Sequence, residues 1–497
     1  MGTMSFMLPP GLDIDQAQEL ERASVAGGPD NFPLPTAVLV EPDQLIVRRT
    51  VDESGCLLVP WDIDGAGRLM GSTGTLIERT QPYHLQVELA RGKVNQVRGQ
   101  TAEWQEKLGL QIPEPLAQEI RHACLTFSKA VTQPPSVLAA KKAQAALELG
   151  YQSAEHLVGQ YIDQILQARH QRQPRLDTGL GCRLGAAAVQ ADRADLLTRA
   201  CNSICLPLPW NEVEPTEANY RWEPYDALLD WAHAQGLAVS GGPLIDFSPS
   251  RLPDWLWLWE RDPSSIATFM CDYVETAVKR YAGKIQSWQL TAASNSATVL
   301  ELGEDDLLWL TVRLAEVARQ VNPNLELIVG ISEPWGEYMG VEDRIHSPLI
   351  FADTLVRSGL NVAALDLELV MGVTGRGSYC RDLLEASRLL DLYSVLGVPL
   401  RVTLGYPSSR EPDANAHPEL DVAAGHWHGD INADAQANWA AGFTTLALAK
   451  HFVRGVHWVH LSDAEPHQFP HCGLFDAQDK PKPALHRLRE LRENHLR

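Results

Sequence analysis

From Gly179 to the C-terminus, short apolar runs alternate with longer amphipathic ones, the pattern of consecutive βα units and therefore of a parallel sheet. Strands are expected near Cys182, Ser203, Leu237, Ile285, Leu325, Val362, Leu400 and Val456, each followed by a helical pattern. Eight such units favour closure into a (β/α)8 barrel over an open sheet. No glycine-rich phosphate loop follows the first strand, which argues against dinucleotide binding. Working residues are expected at the C-terminal ends of the strands.

The pattern upstream is different. Ala37-Val-Leu-Val, Gln44-Leu-Ile-Val, Cys56-Leu-Leu-Val and Tyr83-His-Leu-Gln-Val-Glu-Leu read as strands, with turns at Asp64-Gly and Gly71-Ser-Thr-Gly. From Thr101 the spacing becomes helical, with Leu116, Ile120, Leu157 and Ile162 on apolar faces, until the proline-broken run Arg169-His-Gln-Arg-Gln-Pro-Arg. The chain is therefore expected to be α/β: residues 1–100 a small β-rich domain, sandwich or jelly-roll-like, residues 101–175 a helical bridge, and residues 176–497 the barrel.

Charge narrows the partners. Lys plus Arg number 42 against 63 Asp plus Glu, a formal charge of −21, which repels a phosphate backbone and argues against nucleic acid. No stretch reaches the ~18 apolar residues of a spanning helix, and Met1 to Gln16 lacks the basic-then-apolar form of an export signal, so no membrane association is expected. Eight scattered Cys, several in apolar runs, suit reduced thiols in a cytoplasm; Cys201 and Cys205, the one close pair, lack the partners of a zinc site. Nothing in the pattern specifies an oligomer.

Four segments carry a family resemblance. Glu214-Pro-Thr-Glu-Ala-Asn-Tyr-Arg-Trp-Glu-Pro leads through a helical run into Leu237-Ala-Val-Ser-Gly-Gly-Pro; Ser248-Pro-Ser-Arg-Leu-Pro-Asp-Trp-Leu follows the third strand; Tyr281-Ala-Gly-Lys-Ile-Gln-Ser-Trp enters the fourth; and Leu461-Ser-Asp, Gly473-Leu-Phe-Asp and Lys480-Pro-Lys-Pro-Ala close the chain. In this order and spacing they resemble glycoside hydrolase family 10, the endo-1,4-β-xylanase-like barrels, over about residues 179–493. The resemblance implies a TIM barrel, a carbohydrate substrate and two catalytic glutamates, after strands four and seven. At those places this chain has Trp288-Gln-Leu-Thr-Ala-Ala, with Ala292 and Ala293 for the family's Asn and Glu, and Val402-Thr-Leu-Gly-Tyr, with Leu404 for the nucleophile. The sugar-contacting His and Trp of the family's third strand are replaced by Gly242, Asp246 and Phe247.

Retaining glycosidases use two carboxyl groups about 5–5.5 Å apart, one as acid and one as nucleophile. New carboxyls stand at other strand ends: Glu333 and Glu337 after strand five, and Glu368 inside Leu365-Asp-Leu-Glu-Leu-Val. A glutamate in an apolar strand must be paired or face a polar pocket. Glu368 and Glu333 are thus the candidate catalytic pair, unless Glu368 pairs structurally with Arg376 or Arg401. Trp335, Glu337, Asp246, Trp210, Trp427, Trp458 and Tyr406 are the candidate substrate contacts, the aromatic rings for stacking on sugars. His417, His426, His428, His467 and His471 cluster in the loops after strands seven and eight, but loop spacing of this kind does not diagnose a metal. No metal and no cofactor are expected. The leading expectation is a divergent glycoside hydrolase acting on a β-linked oligo- or polysaccharide with relocated carboxylates; the alternative is a non-catalytic carbohydrate-binding pseudoenzyme of the same fold.

Overall fold

The structure, a computed structural model, describes residues 2–497 apart from Pro10, Asp13, Pro29 and Ala188. Its C-terminal part is a closed parallel barrel. The eight strands run Gly179–Arg183, Ser203–Leu206, Ala238–Gly241, Ser287–Ala292, Glu326–Ser332, Ala364–Val370, Leu400–Gly405 and Val453–Trp458. Each pairs with its successor, and the eighth returns to the first with Val456 opposite Leu180, which closes the ring. All eight expected strands are present at their expected places.

The barrel interior is filled by polar side chains as well as aliphatic ones. Successive residues of a strand point to opposite sides, and the inward positions of strands six and seven are Asp366, Glu368, Arg401 and Thr403. Arg401 donates to Asp366 Oδ2 at 2.9 Å and to Ser240 Oγ at 3.3 Å, and also bonds Gln289. Thr403 donates to Asp366 Oδ2 at 3.0 Å. Burial pushes the Asp366 carboxyl up, but the Arg401 and Arg183 guanidinium groups outweigh it and hold the group below the ordinary carboxylate range.

The N-terminal residues form two sheets. One orders the strands Ala37–Val40, Gln44–Arg49, Gly2–Met7 and Tyr83–His84; the other orders His426–Trp427, Gly67–Leu76, Gly55–Ile63, Ser24–Gly27 and Phe32–Leu34. The second sheet thus takes its edge strand from the loop after barrel strand seven, with His426 opposite Arg68. Met4, Phe6 and Val47 of the first sheet share a core with Val25, Leu57 and Val59 of the second.

Two local expectations are corrected. The run from Tyr83 keeps only Tyr83–His84 as strand and becomes the helix Leu85–Leu108; its alternating residues also place Leu85 and Leu89 four apart on one helical face, and both are buried. Gly71-Ser-Thr-Gly is not a turn but lies within the strand Gly67–Leu76. Small residues are needed there because that helix lies against the strand: a Cβ on Gly92 would stand 2.1 Å from the Ser72 carbonyl oxygen, and one on Gly71 3.1 Å from Leu89 Cδ2.

Three helices follow, Leu85–Leu108, Glu114–Val131 and Val137–Arg172, the first ended by Gly109 in the left-handed conformation and the last opened by Ser136, whose side chain accepts from Ala139 N–H. A buried ion pair ties this layer to the barrel: Lys93, 4% exposed, bonds Asp382 at the N-cap of the helix Leu383–Ser394. Lys93→Met leaves Asp382 without its cation and is expected to cost about 3 kcal/mol, read as a lowered denaturation midpoint at unchanged slope.

Candidate functional site

The C-terminal ends of the strands open into a cleft in two parts. One, of about 470 Å³, lies over strands four to seven and is lined by Ala293, Ser296, Glu333, Glu337, Tyr338 and Arg376 among others. The second, of about 260 Å³, lies over strands one to three and eight, lined by Arg183, Asp246, Arg251, His460, Glu465 and His467 among others.

Glu333 follows the last residue of strand five, and its backbone is left-handed with φ +46°. A non-glycine residue in that region is strained, a feature that concentrates at functional sites. Its carbonyl accepts from Gly336 N–H at 2.7 Å, which closes a tight turn and directs the chain into the short helix Glu337–Gly340. Among the described residues no hydrogen bond to the Glu333 carboxyl is present. Burial pushes that carboxyl up to about 8, helped by the charges of Glu337, Glu342 and Glu368 and opposed by Arg376. At neutral pH it carries its proton. Asn295 braces the turn from strand four, its amide donating to Ser332 O at 2.8 Å while its oxygen accepts from Ser332 N–H at 3.0 Å.

Glu368 is 6% exposed and engaged: its Oε1 accepts from Ser332 Oγ at 3.2 Å and from Arg376 at 3.2 Å, and its Oε2 lies 3.9 Å from Arg183. The pairing with Arg376 is thus present and that with Arg401 is not, since Arg401 is taken by Asp366. Arg376 also lies 3.5 Å from Asp246, and its Nε and Nη1 donors are buried without hydrogen-bond acceptors. Burial pushes the Asp246 carboxyl up, but Arg376, Arg251 and bonds from Ser248 outweigh it and hold it low. The mouth therefore contrasts one proton-bearing carboxyl, Glu333, with an ionised one, Asp246, both near the Arg376 guanidinium. Glu337 lines the cleft but is pinned by Arg381 and by Tyr379 N–H at 3.0 Å.

The aromatic candidates pack against the protein itself. Trp210 is 1% exposed, donates to Glu214 at 2.7 Å and stacks on Tyr273. Trp458 is 2% exposed and donates to Cys472 O at 2.6 Å, and Tyr406, fully buried, stacks on Trp439. Trp427 packs on Phe443, and Trp335 lies under Arg381 at 4.6 Å. None of these rings lines either part of the cleft; Trp210, Tyr406 and Trp427 pack instead on rings of the helices Pro263–Arg280 and Ala433–Ala449. Ala293, also left-handed at φ +56°, does line it, whereas Leu404 is 1% exposed and falls on the outward phase between the inward Thr403 and Gly405. Arg183 was missed from the sequence, and Arg376, flanked by glycines in Gly375-Arg-Gly377, was foreseen only as a structural partner of Glu368 and not as a cleft residue.

The histidines separate into two groups. His426 and His428 sit against the N-terminal sheet, His428 donating from Nδ1 to Gly65 O at 2.7 Å and pairing through Nε2 with Glu155 at 3.3 Å. His460, Asp463 and His467 offer ligand atoms within 4.8 Å of one another. These donors are already spent: Asp463 bonds Lys482, Gly473 N–H and His460, while His467 lies 3.0 Å from Asp413. Burial lowers His460 to about 4, so it is neutral, and Lys482 supplies the positive charge a cation would bring.

Residues 176–296 match the model of glycosyl hydrolase family 10. The chain is 24% identical over 251 residues to endo-1,4-β-xylanase C of Paenibacillus barcinonensis, covering 44% of this chain and 22% of that protein. It is 26% identical over 96 residues to endo-1,4-β-xylanase B of Thermotoga neapolitana, 19% of this chain and 27% of that one. The chain thus spans under a third of the length of these relatives. Among solved structures, a GH10 protein of P. barcinonensis has a TM-score of 0.48 at 19% identity, covering 65% of this chain and 96% of that one. Xylanase 10B of Thermotoga maritima has 0.47 at 14%, covering 67% and 97%. The family-10 resemblance rests on the family model and the xylanase relatives; the barrel rests on its own strand pairing. No described helix is long and apolar enough to cross a membrane.

Proposed function

We propose that the protein hydrolyses the glycosidic bond of a β-linked oligosaccharide held across the barrel mouth, with Glu333 as the proton donor. One observation carries this reading: a glutamic acid that keeps its proton at neutral pH, strained and without a hydrogen bond to its carboxyl, facing a cleft at the end of a barrel strand. The xylanase relatives supply the substrate class. Glu333 gives its proton to the leaving oxygen as the bond to the anomeric carbon breaks. Water adds to that carbon and passes its proton to Glu368, whose charge is close enough to raise the proton affinity of Glu333. Arg376 holds Glu368 and Asp246 in register. This replaces the family's pair, for which Ala293 and Leu404 offer no carboxyl.

A second reading is favoured by Ala293 and by the arginine pairing of Glu368: a barrel that binds saccharide without turning it over. Hydrolysis of aryl glycosides and of plant and microbial oligosaccharides by wild type, Glu333→Gln and Glu368→Gln, with calorimetric binding alongside, separates the two. Turnover that falls in both variants with folding intact supports the hydrolase. Binding without turnover of any substrate supports the second reading and sinks the first.

A further inference from the structure

The half of the cleft that holds Glu333 is walled on one side by residues far upstream of the barrel. Arg22, Ser24, Thr36, Leu58 and Met70, from the N-terminal sheets and the segment joining them, face Glu333 and Arg376 across it. They line none of the other half, over strands one to three and eight.

This wall is fastened to the loops after strands five, six and seven in turn. Thr36 N–H donates to Gly340 O at 2.9 Å, Met70 N–H to Cys380 O at 2.8 Å, and Tyr379 Oη to Glu19 at 2.8 Å. His426 and Trp427 pair as a strand with Arg68 and Gly67. The approach is tight: a Cβ on Gly336 would stand 2.9 Å from Phe32 Cδ1, and one on Gly340 3.1 Å from Ser24 Cβ. Close-packed backbone with paired polar groups is a fixed interface rather than a swinging lid.

We infer that the cleft is blind at its strand five to seven end, so that the protein takes a chain end or a short oligosaccharide and not the interior of a polymer. The inference rests on the saccharide reading of the cleft. A polymer threading an endo-acting groove must leave at both ends, and here the N-terminal sheets stand across one exit. The walled half, at about 470 Å³, lies within the roughly 300–1,000 Å³ that holds a ligand of a few rings. Glu21, Glu337 and Glu342 outnumber Arg22 and Arg376 in its lining, which favours a neutral sugar over a uronate.

The test uses the full chain with soluble β-1,4-xylan, and with xylobiose through xylohexaose, following reducing ends and viscosity together and measuring binding with Glu333→Gln. Reducing ends that accumulate while viscosity holds, and a binding stoichiometry that counts polymer chains rather than polymer length, are expected. An early fall in viscosity, or binding that scales with polymer length, overturns the blind cleft while leaving the hydrolase reading intact. The absence of any turnover sinks the hydrolase reading, and the stoichiometry still decides the blind cleft. Leu58→Trp, which fills the wall side, is expected to raise KM or Kd for xylotriose about tenfold with Tm retained; an unchanged value shows that sugar does not reach the wall and overturns the inference.

Discussion

Arg401→Met is expected to lower stability by about 3–5 kcal/mol, because it leaves the Asp366 carboxylate in the barrel interior without its cation. Asp366 is 2% exposed and Arg401 4%, and once Arg401 is gone Asp366 keeps the hydroxyl of Thr403 and the more distant Arg183 and His457. The penalty belongs to the orphaned charge, so Asp366→Leu with Arg401→Met is expected to recover most of the loss. The sign with pH follows from the lowered Asp366 carboxyl. Its contribution in wild type is fully present above the ordinary carboxylate value of 3.8 and is lost as pH falls through the folded value below it, in strong acid; the variant's orphaned carboxyl, which burial pushes up, takes its proton at higher pH and sheds part of the penalty there, so the gap between the two chains begins to narrow before strong acid is reached. Chemical denaturation of the four chains of the cycle measures this. A double variant no more stable than Arg401→Met would show that packing around Arg401, and not the charge, is at stake.

The same interior network marks where sequence reading succeeds and where it stops. Strand position follows from runs such as Leu325 to Ile331 and Val362 to Leu369, because a barrel strand shielded by helices must be apolar on its outward side, and that requirement is local. Glu333 was legible for the same reason, as an acid at the end of such a run. Its proton affinity was not, since it depends first on burial by residues remote in sequence and then on Glu337, Glu342 and Glu368 arriving from the loop beside it and from the next strand. An aromatic ring at a strand end serves a sugar or the core equally well, and the sequence does not separate the two: Trp210 stacks on Tyr273 and Trp458 donates to the Cys472 carbonyl. The wall across the cleft lay beyond any local pattern, for nothing in Arg68 or Gly67 announces that His426 and Trp427 will pair beside them.

Glu333→Gln is expected to reduce kcat by 10²–10⁴-fold, the range for losing a positioned general acid, and at the same time to stabilise the protein at alkaline pH. The two effects have one origin. The fold raises the Glu333 carboxyl from 4.5 to about 8, so the folded state holds a proton that the unfolded state releases. Below about 4.5 both states are protonated and the residue makes no difference; as pH climbs toward 8 the folded state is progressively disfavoured, and above 8 the loss is complete. Glutamine, which never ionises, escapes that loss, by about 2 kcal/mol at pH 9 after discounting for solvent reaching the cleft. The wild-type kcat/KM is expected to fall above pH 8 as the donor loses its proton, and kcat/KM of the variant to lack that limb. A purely structural glutamate would give the stability crossover without the loss of turnover, and a solvated one would give neither. Denaturation midpoints at pH 4, 7 and 9, set beside the pH profiles of the two chains, therefore distinguish a working acid from a strained bystander.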